Sequence, residues 1–371
     1  MKILLFGEYS NVHNGLADGL RQLGNEVYVV SDGDGWKNYN RDIDLSRKST
    51  KLLDTIFYLF KLKKIFHKLK GFDVVQIINP IFLELSANKI KPYYDFLKEN
   101  NKSIFMGAFG MDYYWVKTCL DCKTFRYSDF NIGPNQRLNE SYNEAFINDW
   151  LYGEKGKLNQ YIANDCDGII SGLYEYFQCY NPYYPQKTTY IPLPITDNPK
   201  PKHKIRKTTE PINFFIGIQK DRHEYKGTDI MLRALERIKS KYPEKCNIIK
   251  AESVPFDAYS KMMNSSDVLL DQLYSYTPGM NGLLAMSKGI ILVGGGEEEH
   301  YELLNENELR PIINVIPDEQ DVYEKLEWLI NNKNEFKRLS EESVEYIKRH
   351  HNNLKVAKQY MDFWSKTNKK K

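Results

Sequence analysis

The sequence predicts an α/β protein with two doubly wound, Rossmann-like domains, and three observations lead to this prediction. The chain has 371 residues, which is more than a single hydrophobic core usually covers. Short apolar runs alternate with longer amphipathic stretches along nearly the whole chain, a pattern typical of βα units and parallel sheets. Residues 197–210 (DNPKPKHKIRKTTE) are rich in proline and charge and nearly free of large apolar residues, as linkers are.

The same alternation predicts the order of elements in each half. The N-terminal half has strands at 2–7, 26–31, 73–78, 103–107, 168–171 and 189–191, helices at 15–23, 49–70, 83–99 and 143–163, and an irregular stretch at 111–141. The C-terminal half has strands at 212–217, 247–250, 268–271, 290–293 and 311–315, and helices at 227–242, 256–264, 280–288, 298–304, 320–331, 335–350 and 354–367. We therefore place an N-terminal domain at 1–195, a linker at 196–210, a C-terminal domain at 211–350, and at 351–371 a helix that packs back on the N-terminal domain.

Composition narrows the possible function classes. The formal net charge of +3 is too small to predict nucleic-acid binding. The five cysteines form no disulfide framework, and Cys119 and Cys122 have the spacing of only half a zinc site, so we predict a reducing compartment and no metal. No apolar run reaches the roughly 18 residues of a membrane-spanning helix. The start, MKILLFGEYS, lacks the features of a signal peptide. Together these features predict a cytoplasmic protein.

A basic loop follows the first predicted strand of the C-terminal half. The strand ends at Gly217, and Lys220, Arg222 and Lys226 follow before Gly227 opens a helix. Cationic side chains beside the backbone N–H groups at a strand end suit a phosphate, and an arginine can bind it in a bidentate manner. A solvated loop that is merely basic is the alternative interpretation.

Two glycine-containing turns lie further along the same predicted sheet. Pro278 and Gly279 lead into a helix whose first N–H groups, from Met280 on, have no intrahelical partner and attract anions. The next strand ends in three glycines at 294–296, which permit a ligand to approach the backbone closely. Both turns fit a ligand site at the carboxyl edge of the sheet. Simple turn formation is the alternative.

The segment 46–70 has a composition that suits a membrane surface. It carries eight Lys or Arg and a single Asp, together with an apolar set formed by Leu52, Leu53, Ile56, Phe57 and Phe60. A basic amphipathic helix of this kind can rest on an anionic membrane. The alternative is an outer helix whose apolar face packs on its own sheet while its lysines are solvated.

Seven stretches, in order along the chain, resemble motifs of the GT-B glycosyltransferases of family 4 (group 1), which transfer sugars from nucleotide-sugar donors. In the first half these are GNEVYVVS (24–31), FDVVQIINP (72–80), NDCDGIISGLYEYF (164–177) and IPLPIT (191–196). In the second half GIQ…YKG (217–227), SSDVLLDQ (265–272) and AMSKGIILVGGGEEE (285–299) resemble the family's phosphate-loop, S-A-D-V and glycine-rich motifs. The resemblance implies two Rossmann-like domains facing across a cleft, with the donor bound by the C-terminal domain and the acceptor by the N-terminal domain.

The resemblance also implies roles for residues of the C-terminal domain. Lys226 matches the lysine that contacts the donor diphosphate, and Arg222 takes the role of a family arginine whose own position holds Asp221. The family's E-x7-E pair is missing. Its positions, which contact the transferred sugar and hold the ribose hydroxyls, fall near Tyr276 and Leu284. The implied donor-binding residues are Gly217, Lys226, Gly227, Gly279, Met280, Asn281, Gly282, Gly295 and Glu298.

In the N-terminal domain the resemblance implies that the acceptor-binding residues are Gly7, Glu8, His13 and Phe109. Asp112 ranks first among the groups that would orient or deprotonate the acceptor hydroxyl, followed by Glu8 and His13. A helix cap is the alternative for Asp112, and a cap or surface position for His13. Asp112, Lys226 and Arg222 form the predicted catalytic set, in which the two cations stabilise charge on the leaving diphosphate without a metal.

These implications describe a metal-independent, retaining hexosyltransferase that modifies a glycan or lipid-linked acceptor in surface polysaccharide assembly, with no cofactor besides its nucleotide-sugar substrate. We expect it to act at the inner face of a membrane, in peripheral contact through the 46–70 helix. Two alternatives stay open. One is a GT-B-fold nucleotide-sugar epimerase that uses the glutamates at 297–299, and the other is a sugar-nucleotide binder that lost catalysis with the E-x7-E pair.

Overall fold

The structure, a computed structural model, describes residues 1–138, 141–196, 210–218 and 223–368. The chain forms two compact units. The first comprises Met1–Asp121, Ser141–Thr196 and Asn353–Lys371, and the second Cys122–Glu140 and Asp197–Asn352. Residues 122–140, which the sequence analysis assigns to the N-terminal domain, therefore belong to the second unit. The predicted linker lies almost entirely outside the described residues.

The first unit is built on a seven-stranded parallel sheet with the order β10-β9-β5-β4-β1-β2-β3. These strands are β1 (Lys2–Phe6), β2 (Glu26–Ser31), β3 (Ile43–Asp44), β4 (Val74–Ile77), β5 (Ile104–Ala108), β9 (Gly168–Ser171) and β10 (Thr188–Tyr190). Its helices are α1 (Val12–Gln22), α2 (Leu52–Phe66), α3 (Ala87–Asn100), α4 (Tyr113–Cys119), α5 (Ser141–Ile147), α6 (Glu154–Asp165), α7 (Tyr174–Tyr180) and α15 (Asn353–Asn368). The central strands are buried on both faces, which is why they read as continuous apolar runs in the sequence.

Helix α15 is an integral part of the first unit, although it follows the second unit in the chain. Tyr360 and Trp364 of α15 are fully buried in the same core cluster as Ile3 of β1. A Cβ atom on Gly19 of α1 would lie 2.3 Å from the carbonyl oxygen of Asn353. A glycine at this position therefore permits the close approach of α1 and α15.

Helix α2 does not bury the apolar set found in the sequence. Its buried stripe consists of Tyr58, Leu62 and Phe66, which are spaced four residues apart and so share one face. Five large apolar side chains are instead between 41% and 76% exposed: Leu52, Leu53, Ile56, Phe57 and Phe60. The alternative in which these five residues pack on the helix's own sheet is therefore wrong. No described helix combines the length and apolar character that crossing a membrane requires.

The second unit is built on a five-stranded parallel sheet with the order β12-β11-β13-β14-β15. Its strands are β11 (Ile212–Ile218), β12 (Cys246–Glu252), β13 (Val268–Leu270), β14 (Ile291–Gly294) and β15 (Ile313–Asn314). Its helices are α8 (His223–Lys226), α9 (Thr228–Lys241), α10 (Phe256–Asn264), α11 (Met280–Ser287), α12 (Glu298–Leu304), α13 (Glu319–Asn331) and α14 (Phe336–Tyr346). The strands and α9, α13 and α14 enclose one apolar core cluster.

Part of the stretch predicted to be irregular forms a small antiparallel sheet on the second unit. Its strands are β6 (Tyr127–Ser128), β7 (Asn131–Ile132) and β8 (Asn135–Gln136), in the order β6-β7-β8. The Asn131 amide donates hydrogen bonds to the carbonyl oxygens of Phe125 (2.9 Å) and Gly133 (3.1 Å). Because Phe130 is also completely buried, residues 122–138 form an ordered element, which we call the inserted segment.

Candidate functional site

The helix N-terminus predicted to bind phosphate lies at the carboxyl end of β13. Gly279 occupies the N-cap position of α11 in an extended conformation and supplies no side-chain hydrogen bond. The backbone N–H groups of Met280, Asn281 and Gly282 form the first turn, where N–H groups have no intrahelical partner and the helix dipole is positive. Met280 and Asn281 are partly exposed. This arrangement favours an anion.

A polar network that the sequence analysis missed surrounds this helix start. The Tyr259 hydroxyl donates to Asn281 Oδ1 at 3.1 Å, and Asn281 Nδ2 donates to Asp271 Oδ1 at 3.3 Å. Gly217, at the end of β11, lies against the Tyr259 ring. Asp271 follows β13 directly. A polar residue immediately after a buried strand was the sequence signal that could have indicated this network. The Asp271 carboxylate already faces the positive N-terminus of α11. Because this carboxylate repels a diphosphate, a diphosphate bound here requires additional cations.

Lys226 is the described member of the basic loop. Lys220 and Arg222 lie outside the described residues, so their predicted roles stay predictions. Lys226 ends α8 with a partly exposed side chain, and its carbonyl oxygen accepts the N–H of Leu273 at 2.9 Å. Gly227 then adopts a φ of 70°, which favours glycine, as the chain enters α9. The loop after β11 is thereby attached to the loop after β13.

The three-glycine turn follows β14 and packs against the loop after β13. A Cβ atom on Gly295 would lie 2.2 Å from the carbonyl oxygen of Ser275, so this close approach requires glycine. Glu298, the predicted donor-binding glutamate, has a side chain that is 71% exposed and pairs with Arg310. Glu297 has a side chain that is only 12% exposed. Glu297 is therefore the enclosed carboxylate at this turn, and the prediction for Glu298 has no geometric support.

Tyr276, at the position of the family's first glutamate, is covered by the inserted segment. The backbone N–H of Arg126 donates to the Tyr276 hydroxyl at 2.7 Å, and the Arg126 guanidinium carbon lies 5.0 Å from the ring centroid. The Tyr127 ring lies 4.9 Å from that of Tyr276. Tyr276 is 2% exposed as a result. The inserted segment is thus fixed at the carboxyl edge of the second sheet.

Three donors surround the carboxylate of Glu297. The Tyr127 hydroxyl donates to Oε1 at 2.5 Å, Asn314 Nδ2 donates to Oε1 at 3.0 Å, and the Arg126 guanidinium donates to Oε2 at 2.8 Å. Arg126 also pairs with Glu299. Burial favours a raised pKa for Glu299, but the hydrogen bond from Arg126, a backbone hydrogen bond and the Arg126 charge together outweigh it and the pKa is lowered. The sequence analysis missed Arg126 and Tyr127, which lie 171 and 170 positions from Glu297 in the sequence.

The predicted acceptor residues near β1 cap a helix and fill the core of the first unit. The Glu8 carboxylate accepts the backbone N–H groups of His13 (3.3 Å) and Asn14 (2.8 Å) at the start of α1. Burial raises the pKa of Glu8 to about 7. His13 is fully buried with Nδ1 2.8 Å from the Gly7 carbonyl oxygen, and burial lowers its pKa to about 4. In this structure both side chains are buried, Glu8 caps α1, and the acceptor-binding roles of Glu8 and His13 stay predictions.

Asp112 is a buried helix cap in this structure, and its predicted role as the group that deprotonates the acceptor stays a prediction. Its Oδ1 accepts the backbone N–H of Trp115 at 2.8 Å, and its Oδ2 accepts the Tyr180 hydroxyl at 2.7 Å. The residue is 0% exposed, and burial raises its pKa to about 7. Both oxygens are therefore engaged inside the first unit. Phe109, another predicted acceptor residue, packs against the apolar core of the same unit.

Metal-binding geometry is not found in the part of the chain that the structure describes. No three His, Cys, Asp or Glu side chains come together there in a way that could hold an ion. All five cysteines are free thiols, including Cys119 and Cys122. The absence of a metal requirement stays a prediction.

Comparison with known proteins gives structural similarity only. No family model matches the chain, and no curated protein matches its sequence. Sucrose-phosphate synthase from Thermosynechococcus elongatus aligns over 100% of both chains with a TM-score of 0.60 and 11% identity. The Anabaena protein HepE, solved with UDP and glucose, aligns over 99% of this chain and 100% of its own, with a TM-score of 0.60 and 10% identity. UDP-GlcNAc 2-epimerase from Neisseria meningitidis, solved with UDP-GlcNAc, covers the same shares, with a TM-score of 0.53 and 12% identity.

These similarities extend over the whole chain and therefore show the fold. The protein has the α/β GT-B fold, and the predicted fold class is confirmed. Sequence identities of this size do not assign an activity. Membership of family 4 stays a prediction.

Proposed function

We propose that the protein is a glycosyltransferase that takes its nucleotide-sugar donor on the second unit and its acceptor on the first. The observation that carries the proposal is the start of α11, where a glycine N-cap presents first-turn N–H groups at the end of a loop that is hydrogen-bonded to the backbone of Lys226. A helix N-terminus and a cation suit the diphosphate of a donor. The GT-B fold, which the chain shares with sucrose-phosphate synthase, supports this assignment.

In finer detail, we propose a retaining, metal-independent transfer of a hexose to a glycan or lipid-linked acceptor in surface polysaccharide assembly. As the sugar–oxygen bond breaks, negative charge grows on the leaving diphosphate and positive charge on the sugar. Lys226 and the α11 dipole stabilise the negative charge on the diphosphate. The acceptor hydroxyl then attacks the sugar carbon on the face from which the diphosphate leaves, and its proton passes to the leaving diphosphate.

A thermal-shift screen tests the donor site. We expect one of UDP, GDP, ADP or CMP, or its common sugar conjugates, to raise the melting temperature progressively with concentration, because a ligand that binds only the folded state stabilises it by mass action. The shift should persist in EDTA if no metal is needed. Absence of a shift with every nucleotide would contradict the proposal, and a shift that EDTA abolishes would contradict the metal-independent mechanism.

We also propose that α2 attaches the protein to the inner face of an anionic membrane. Its five exposed apolar side chains offer a surface to insert at the headgroup boundary. The eight Lys or Arg of the 46–70 segment match a negative surface, and a lysine or arginine near such a surface contributes about 1 kcal/mol. This placement fits a lipid-linked acceptor.

Vesicle flotation tests the role of α2. The protein should float with phosphatidylglycerol-containing vesicles, and Phe57→Ser with Phe60→Ser should weaken this association by more than about tenfold, since burial of each Phe contributes about 1.5–3 kcal/mol. The control is Tyr152→Ser, which changes an aromatic side chain that is 75% exposed elsewhere on the first unit. Equal flotation with acidic and neutral vesicles, or of all variants, would refute membrane attachment through α2.

A nucleotide-sugar epimerase is the second candidate, because an epimerase is among the structures that share the fold. The enclosed carboxylate of Glu297 and its neighbour Glu299 are available for proton transfer at a sugar carbon. An incubation of the donor without an acceptor distinguishes the candidates. An epimerase would convert it to a stereoisomer, a transferase would leave it unchanged until an acceptor is added, and a binder without catalysis would do neither.

A further inference from the structure

Charged and aromatic side chains of the inserted segment contact residues at one edge of the second sheet. Arg126 and Tyr127 contact Tyr276 and Glu297. Further along the segment, the Tyr225 hydroxyl donates to Asp129 Oδ2 at 2.7 Å, and the Arg137 guanidinium carbon lies 3.8 Å from the Tyr274 ring centroid. These partners follow β11, β13 and β14, so they share the carboxyl edge of the sheet. Ligands of doubly wound sheets bind at this edge.

The contacts of the inserted segment hold the Glu297 carboxylate near position 276, where the family resemblance implies a glutamate that this chain lacks. Tyr276 replaces the glutamate that would contact the sugar, but the backbone N–H of Glu297 donates to the Tyr276 carbonyl oxygen at 3.1 Å. The Glu297 side chain therefore starts from the same corner of the site, in the adjacent loop. It follows directly after the three-glycine turn, where the backbone permits a ligand to approach.

The environment of Glu297 suits a carboxylate that binds hydroxyl groups. Arg126 neutralises it, and Tyr127 and Asn314 fix its orientation. Within the described part of the chain three hydrogen bonds reach this carboxylate, whereas a carboxylate accepts about four. Its side chain retains 12% exposure, so a ligand has access to it. A fixed negative charge also stabilises the positive charge that grows on a sugar during transfer.

We propose that Glu297 binds the hydroxyl groups of the transferred, uncharged sugar, with Arg126 and Tyr127 of the inserted segment as positioning residues. The proposal rests on the proposed glycosyltransferase function. In this arrangement Glu297, held by Arg126 and Tyr127, recognises the sugar in a chain that has no glutamate at position 276.

The test compares binding of a nucleoside diphosphate with binding of its glucose conjugate by calorimetry. UDP, GDP and ADP are each paired with their glucose conjugate, and the ratio of the two Kd values isolates the sugar. Glu297→Gln should raise the Kd of the conjugate relative to the bare diphosphate by about tenfold, because hydrogen bonds to charged groups contribute this much. Glu302→Gln, which changes an exposed glutamate of the adjacent helix α12, is the matched control and should leave the ratio unchanged.

Tyr127→Phe provides a second variant that keeps the ring on Tyr276 and removes only the hydrogen bond to Glu297. It should change the ratio in the same direction by a smaller factor, which a purely structural role would not do. If the diphosphate binds and Glu297→Gln leaves the ratio unchanged, this inference is wrong while the donor site stands. If no nucleoside diphosphate binds the unaltered protein, the proposed function and this inference fail together.

Discussion

Replacing Lys226 with alanine should lower the turnover of sugar transfer by about 100- to 1,000-fold, the usual cost of removing one preorganised group that stabilises developing charge. The backbone hydrogen bond to Leu273 attaches Lys226 to the loop after β13, the loop that leads into α11. In the proposed site the Lys226 ammonium stabilises the charge that grows on the leaving diphosphate. The measurement is the steady-state release of nucleoside diphosphate from the donor that the thermal-shift screen selects.

Two comparison variants make this result specific. Lys226→Arg keeps the charge and should retain more activity than the alanine variant. Lys241→Ala removes an exposed lysine that pairs with Glu327 at the far end of α9, and its turnover should match that of the unaltered protein. An alanine variant at 226 with unchanged turnover would refute the catalytic role of Lys226. Loss of nucleotide binding in a protein that never shows turnover would favour the non-catalytic binder.

The sheets were predictable because buried parallel strands have a local signature. The strand predicted at 268–271 is β13, Val268–Leu270, and the helix predicted at 280–288 is α11, Met280–Ser287. Each is defined by an apolar run or by the turn residues directly beside it. The same local chemistry placed the glycine at the start of α11. These features need no knowledge of distant residues.

The inserted segment was not predictable, because its structure depends on distant contacts. Its strands have two residues each, too few to show a periodicity. The pairs that fix it, such as Tyr127 with Glu297, are separated by 170 positions. The sequence shows that the glutamates of the E-x7-E motif are missing. It does not show that Glu297 lies beside Tyr276, the position of the first of them.

Asp112 and the apolar residues of α2 illustrate that sequence patterns do not reveal which way a side chain faces. Asp112 precedes a short helix, and the pattern fits equally a catalytic carboxylate and a cap. Burial and the Tyr180 hydroxyl show that Asp112 acts as a cap in this structure, while its catalytic role stays a prediction. In α2, Phe57 and Phe60 look like core residues by composition, but Tyr58, Leu62 and Phe66 already fill the stripe that faces the unit. The exposed residues are thus available for another surface.

Replacing Trp364 with alanine should destabilise the first unit by about 3–5 kcal/mol, the usual cost of deleting a large buried aromatic side chain. Trp364 is 0% exposed, and its ring lies 5.5 Å from that of Tyr360 and 6.1 Å from that of Phe105. The indole Nε1 has no hydrogen-bond partner among the described residues, so the loss is mainly one of packing. Urea unfolding followed by far-UV circular dichroism measures the change.

Trp36→Ala is the matched control, because Trp36 is 56% exposed in the same unit and its removal should change the free energy of unfolding by no more than about 0.5 kcal/mol. Equal unfolding midpoints for the two variants would show that α15 is not part of the core of the first unit. The predicted donor-binding residues belong to the second unit, and the core cluster that contains Trp364 includes none of them. The Trp364 variant should therefore still bind the nucleoside diphosphate below its unfolding transition, which separates a loss of stability from a loss of the donor site.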